Sequence, residues 1–387
     1  MRREMLKTYC RLSISFTAMS LLAAVTNAQE ETAVATDKPA TEIKQPSRTS
    51  KSTSKKAKPG DRKKGDEPTA EMESTPGIQL SAPRTMDMQF GMRFHSNENF
   101  CRDLFATIPF PLNWPEQTVK VTSSELPGNA LWEFRDLPMG LKQPALARQL
   151  LMKIPALNPK DHLNLIFNVQ IEKSFIEPPP DTSVFVIPKS VPSEMNLFMK
   201  SSPYIDIEIS EIKRVAKQIA FDNPPDAWTQ VEKLYDWVRD NIKYRNGKIR
   251  NIKDALKDRQ GDCEEMTGIF VALCRASKIP ARCVWIPEHC YPEFYLEDPQ
   301  GEGHWFPCQA AGERQFGQMH DYRPILQKGD RFKVPEDPVV QRYVTTFFTC
   351  KPKASGPGLA PSVDEVRDLG PLQAELDASR QQTEPDK

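Results

Sequence analysis

Cys263 stands in the run Gly261-Asp262-Cys263-Glu264-Glu265, and its neighbours suit a thiol nucleophile. Asp262 is a residue type that caps helix N-termini, and Glu265 follows it at capping-box spacing. Cys263 then opens a helix on which Met266, Phe270, Leu273, Cys274 and Ser277 share one face. A thiol in that position meets the partial positive charge of the helix start. Its pKa is expected to fall from about 8.5 toward the range of roughly 3.5–7.5 found for activated thiols. A thiolate at neutral pH can attack an amide carbonyl, given a base. His289 is the candidate base, 26 residues further on.

The elements that must bring these two residues together are legible nearby. The stretch 279–285 reads as helix end, short loop and strand, which returns the chain toward the helix start. His289 leads into an apolar strand. A turn rich in Asp, Pro and Gly follows, then His304-Trp305-Phe306-Pro307-Cys308-Gln309, so the pair reads as a hairpin. Upstream, Pro224-Pro225-Asp226 signals a helix start, with Trp228, Val231, Leu234, Tyr235, Val238 and Ile242 on one face. A shorter helix is expected over 251–257. Helices followed by antiparallel strands give an α+β domain over 199–350.

The earlier segment, 85–198, has period two instead. Leu163, Leu165, Phe167, Val169 and Ile171 alternate with mostly polar residues. Further strands are expected over 118–122, 131–137, 149–154 and 183–187, which together suggest a small antiparallel β-sandwich. His95 and His162 show no evident partners there.

The ends of the chain are different again. Arg2, Arg3, Lys7 and Arg11 precede an apolar run and then small residues at Thr26 and Ala28, the pattern of a signal peptide over 1–28. A secreted or periplasmic protein is expected, with no transmembrane segment after the signal. Residues 29–84 are polar and low in complexity, and the tail 351–387 is similar, so both are expected to be disordered. The basic stretch from Lys51 to Lys64 offers electrostatic association with the cell envelope. Overall the 52 Lys and Arg balance 52 Asp and Glu, which gives nucleic-acid binding no support. Without Cys10, seven cysteines remain, an odd number that leaves room for a free thiol.

Taken together, G-D-C-E-E, A-L-C-R-A-x-x-I-P-A-R, H-C-Y-P-E-F-Y-L and H-W-F-P-C-Q resemble the transglutaminase-like superfamily. The resemblance is close from Gly261 to Gln309 and looser back to the helix end at Trp237–Tyr244. It implies a papain-like α+β core, with the β-sandwich as a preceding domain, and a Cys-His-Asp triad. Cys263 takes the nucleophile position and His289 the base position. Two positions depart from the pattern. Lys278 replaces a Gly, and Gln309 stands where the family has Asp. A Gln carbonyl still accepts an imidazole N–H but brings no full charge. The implied activity is attack on a peptide or glutamine side-chain amide in a protein or peptide substrate, by way of an acyl-enzyme and without a cofactor. Glu293 and Asp298 are fallback carboxylates.

Three other readings compete. Cys283, His289, Cys290, His304 and Cys308 could hold zinc, although no standard ligand spacing is present. If His289 faces Gln309 across the hairpin, Cys290 faces Cys308 and the two could form a disulfide. Finally, a catalytically degenerate fold could serve as a protein- or envelope-binding module.

Overall fold

The computed structural model of the chain describes residues 77–137, 145–351 and 362–383. The signal peptide and nearly all of the linker expected over 29–84 lie outside the described residues. Among those described, no helix is long and apolar enough to cross a membrane.

The first half consists of strands β1 (Gln79–Leu80), β2 (Arg84–His95), β3 (Cys101–Phe110), β4 (Gln117–Glu125), β5 (Leu131–Leu137), β6 (Ala147–Leu157), β7 (His162–Lys173) and β8 (Ile176–Glu177). The alternation in β7 has its expected consequence. Leu165, Phe167, Val169 and Ile171 are buried, and they pair in register with Met92, Phe90, Met88 and Met86 of β2. These residues meet the inward faces of β3 and β6 in one core that includes Ile108, Phe110, Leu150 and Met152. The expected strand over 183–187 is reduced to a single bridge between Val186 and Glu297. His95 and His162 are neighbours, with their Nδ1 atoms 2.5 Å apart and His95 Nε2 3.2 Å from Asp364.

The second half contains helices α1 (Ser210–Phe221), α2 (Ala227–Asn241), α3 (Ile252–Asp258) and α4 (Cys263–Ala276). Short strands β9 (Lys243–Tyr244) and β10 (Gln260–Gly261) lie between them, and β11 (Ala281–Ile286), β12 (His289–Glu297) and β13 (Gly303–Pro307) follow. Strands β14 (Gln327–Lys328), β15 (Phe332–Val334), β16 (Asp337–Gln341), β17 (Phe347–Lys351) and β18 (Ser362–Asp368), and helix α5 (Pro371–Thr383), complete the order. The predicted face of α2 is buried, and Asp226 caps the helix by accepting from Thr229 N at 2.7 Å. Helix α4 is enclosed on nearly every side from Glu265 to Arg275. It ends beside Lys278, whose φ of 67° is left-handed, as its glycine-like position requires.

Two expectations about domains need correction. The β-sandwich is not separate from the second half. One sheet runs β13-β12-β11-β14-β6-β3-β17, with β5 also paired to β6. Strand β14 joins the halves, because Lys328 pairs with Val284 and Gln327 with Ala147. A buried ion network lies at this join. Lys328 Nζ is 2.7 Å from Glu116 and 2.6 Å from Glu293, and Arg282 reaches Glu293 at 2.6 Å. The described part of the tail is ordered as well. Strand β18 pairs with β2 along its whole length, from Ser362 with His95 to Asp368 with Gln89. Leu369 and Leu372 are buried in the same core. An open strand edge and a few well-placed apolar residues outweigh a polar composition here.

Candidate active site

The start of α4 is built as its sequence suggested. The Asp262 carboxylate accepts from Glu264 N at 2.8 Å and Glu265 N at 3.3 Å, while Glu265 Oε2 accepts from Asp262 N at 2.7 Å. This capping box fixes the first turn and places Cys263, half-buried, at its head. One turn on, Thr267 Oγ1 donates to Cys290 O at 3.1 Å and ties the helix to the start of β12. The backbone of Cys290 in turn hydrogen-bonds the Cys263 sulfur. The thiol therefore meets the strand at the residue directly after His289.

His289 Nε2 lies 2.7 Å from Gln309 Oε1. An amide oxygen only accepts, so this contact assigns the proton to Nε2 and leaves Nδ1 as the basic nitrogen. Gln309 is itself held in place. Tyr235 Oη donates to Gln309 O at 2.8 Å, Arg239 Nη1 donates to the same oxygen at 3.1 Å, and Gln309 N donates to Gln315 O at 2.8 Å. Sequence reasoning missed Tyr235 and Arg239 as supports, because helical spacing marks Tyr235 only as core.

The electrostatics correct one expectation. Burial, followed by the neighbouring carboxylates of Asp262 and Glu264, pushes the Cys263 thiol up to about 12. The helix start does not leave a standing thiolate. Burial, followed by the Arg323 guanidinium, holds His289 below its ordinary value of 6.5, although Gln309 and Asp321 act in the other direction. Both shifts favour the neutral forms, a thiol and an imidazole. Arg323 and Asp321 are a second omission of the sequence reading. They pair at 2.6 Å, and Arg323 Nη1 donates to Pro287 O at 3.2 Å, two residues before His289. Nothing in their local sequence separates them from an ordinary surface pair.

The remaining candidates serve structure. Glu293 is engaged by Arg282 and Lys328. Asp298 accepts from Gln300 N and Glu302 N, each at 2.9 Å, and lies 2.8 Å from His304 Nε2, so both residues close the hairpin turn. Cys290 and Cys308 are free and not opposed. The ladder pairs Glu293 with Pro307, and Cys308 N donates to Pro292 O, two residues out of the expected register. The zinc set does not assemble either. Among the described residues, no three His, Cys, Asp or Glu side chains group as metal ligands.

Comparison with known proteins bears on this arrangement. The family model described as the transglutaminase-like superfamily matches residues 213–310. A search of curated proteins gave no match. Among solved structures, a candidate cysteine protease from Cytophaga hutchinsonii is 14% identical with a TM-score of 0.47, over 75% of this chain and 92% of its own. The periplasmic domain of TgpA from Pseudomonas aeruginosa is 14% identical with a TM-score of 0.27, over 61% and 93%. A candidate protease from Parabacteroides distasonis is 11% identical with a TM-score of 0.22, over 60% and 68%. The segment 213–310, which carries Cys263, His289 and Gln309, is the part of the chain that matches the transglutaminase-like superfamily.

Proposed function

We propose that this chain is an exported cysteine hydrolase that cleaves peptide or glutamine side-chain amides through an acyl-enzyme on Cys263. One observation carries the reading. The Cys263 sulfur is hydrogen-bonded at Cys290, and the adjacent His289 has Nε2 held 2.7 Å from Gln309 Oε1. Export is supported by the signal-like pattern ending near Ala28.

The chemistry follows from a neutral resting pair. His289 Nδ1 takes the thiol proton as the sulfur bonds to the carbonyl carbon, and the carbonyl becomes an oxyanion. The capping box occupies the N–H groups of Glu264 and Glu265, and the N–H of Cys263 is the helix-start donor for the oxyanion. The imidazolium then gives its proton to the departing nitrogen. The C–N bond breaks and a thioester remains. Water adds next, with His289 again removing a proton, and the acid leaves as the thiol is restored. Gln309 fixes the tautomer throughout but adds no charge to stabilise the imidazolium.

The test is to incubate the mature protein with denatured protein substrates and follow its intact mass. A substrate-derived acyl adduct on Cys263, absent in Cys263→Ala, is the expected result. New substrate termini mark peptide hydrolysis, conversion of glutamine to glutamate marks side-chain hydrolysis, and incorporation of an added primary amine marks transfer. A degenerate binding module is the second reading, favoured by the neutral Gln309. Retention of substrates by Cys263→Ala and by the unaltered chain alike, with no adduct on either, would establish it instead.

A further inference from the structure

We infer that the loop from Arg245 to Arg250 forms a subsite for a substrate carboxylate, so that the enzyme acts preferentially beside acidic residues. The inference rests on the enzymatic reading above and adds a substrate class to it.

The loop is fastened to the start of α4 at both ends. On the entering side, β9 pairs in parallel with β10, and Arg245 N donates to Gly261 O at 2.9 Å, two residues before Cys263. On the leaving side, Arg250 N donates to Glu265 Oε1 and Arg250 Nη2 to Gln260 O, both at 2.7 Å. Tyr244, which precedes the loop, is 59% exposed, and burial followed by Cys263 and Asp262 pushes its phenol up. Between these anchors is a pocket of about 180 Å³ lined by Arg245, Asn246, Gly247, Lys248, Arg250 and Glu265. That volume equals about six waters of liquid, enough for an Asp or Glu side chain. At the loop tip, nothing lies within 4 Å of where a Cβ on Gly247 would stand, so access is open.

The charges of this pocket are unequally matched. Among the described hydrogen bonds, the Arg245 guanidinium meets the neutral amide oxygen of Gln260, at 2.9 Å. Among the described ion pairs, neither Arg245 nor Lys248 meets a carboxylate. Arg250 is paired with Asp258 at 2.7 Å. Glu265, the acidic residue of the lining, has both oxygens occupied by the backbone N–H groups of Asp262 and Arg250. Of the other nearby carboxylates, Asp262 is engaged in the cap and Glu264 is paired with Arg342. Two cations without carboxylate partners thus border an open pocket at the nucleophile's helix. An extended peptide advances about 3.3 Å per residue, so probes varied at successive positions from the scissile amide sample the approach to the pocket.

The test uses mature full-length protein and electrophilic peptide probes that alkylate Cys263. The probes carry Glu, Gln or Lys at each of the first three positions from the electrophile. The expected result is a labelling efficiency at one position at least tenfold higher for Glu than for Lys, with Gln between them. The preference should shrink with added salt and reverse in Arg245→Glu/Lys248→Glu. Iodoacetamide, small and neutral, should label that variant and the unaltered protein alike, showing that fold and dyad are intact. Equal labelling by the three probes, with iodoacetamide still dependent on His289, would overturn the subsite alone. Iodoacetamide labelling that does not depend on His289 would overturn the enzymatic reading and this inference with it.

Discussion

The neutral resting pair leads to a quantitative expectation for His289→Phe, which keeps a ring in place and so keeps the thiol buried. A thiol held at about 12 is thiolate to about one part in 10⁵ at pH 7, against about three parts in 100 for a free cysteine near 8.5. The deficit is about 3,000-fold. A more basic thiolate is also a better nucleophile, and with a Brønsted slope of about 0.45 the gain is about 40-fold. Without its base, Cys263 should therefore alkylate about 100-fold more slowly than a free cysteine. General base assistance is worth about 10²–10⁴, so the unaltered protein should react at least as fast as free cysteine and 10²–10⁴ faster than the variant. The assay is the second-order rate of iodoacetamide addition at pH 7, followed by intact mass with Cys263→Ala as the blank. If His289→Phe alkylates within threefold of the unaltered protein, the proton is not passing to His289 and the mechanism is wrong.

Further outcomes follow from other contacts. The acid limb of Cys263 alkylation should fall below pH 6.5, because His289 is held below that value and must be neutral to act. Gln309→Asp should move the limb upward, since a carboxylate favours the imidazolium, and a limb unmoved in that variant would contradict the 2.7 Å contact. Asp262→Asn keeps a good cap but removes a charge that raises the thiol, so alkylation at pH 9 should quicken by about threefold for each tenfold gain in thiolate. Lys328→Met removes the ion-pair partner of buried Glu116 and leaves Glu293 with Arg282 alone, and urea denaturation should show a loss of about 3–5 kcal/mol. Burial pushes the Glu116 carboxyl up, but Lys328 and Lys173 outweigh it and hold it at about 2. Its stabilising share is therefore fully present above the ordinary 4.5 and is lost as pH falls toward 2 in the unaltered protein.

Patterns that depend on a few neighbouring residues were visible in the sequence. The cap at Asp262, the helix it opens, the buried face of α2 and the alternation of β7 all follow from local geometry, because a helix or strand sets which residues share a face. The positions of Cys263, His289 and Gln309 were instead read from the resemblance to a known family, as was the glycine-like position of Lys278, where φ is 67°. Distance in the chain decided the rest. Strand β14 carries two residues, too few for any periodic signal, yet it joins one sheet of the expected sandwich to the strands of the second half, so the sandwich does not stand apart. Strand β18 looks like polar tail until β2 offers it an edge. The protonation of Cys263 was set by burial and by carboxylates whose effect depends on desolvation. No local pattern reports how much water a fold excludes, so a thiol expected to be acidic is instead pushed up by burial.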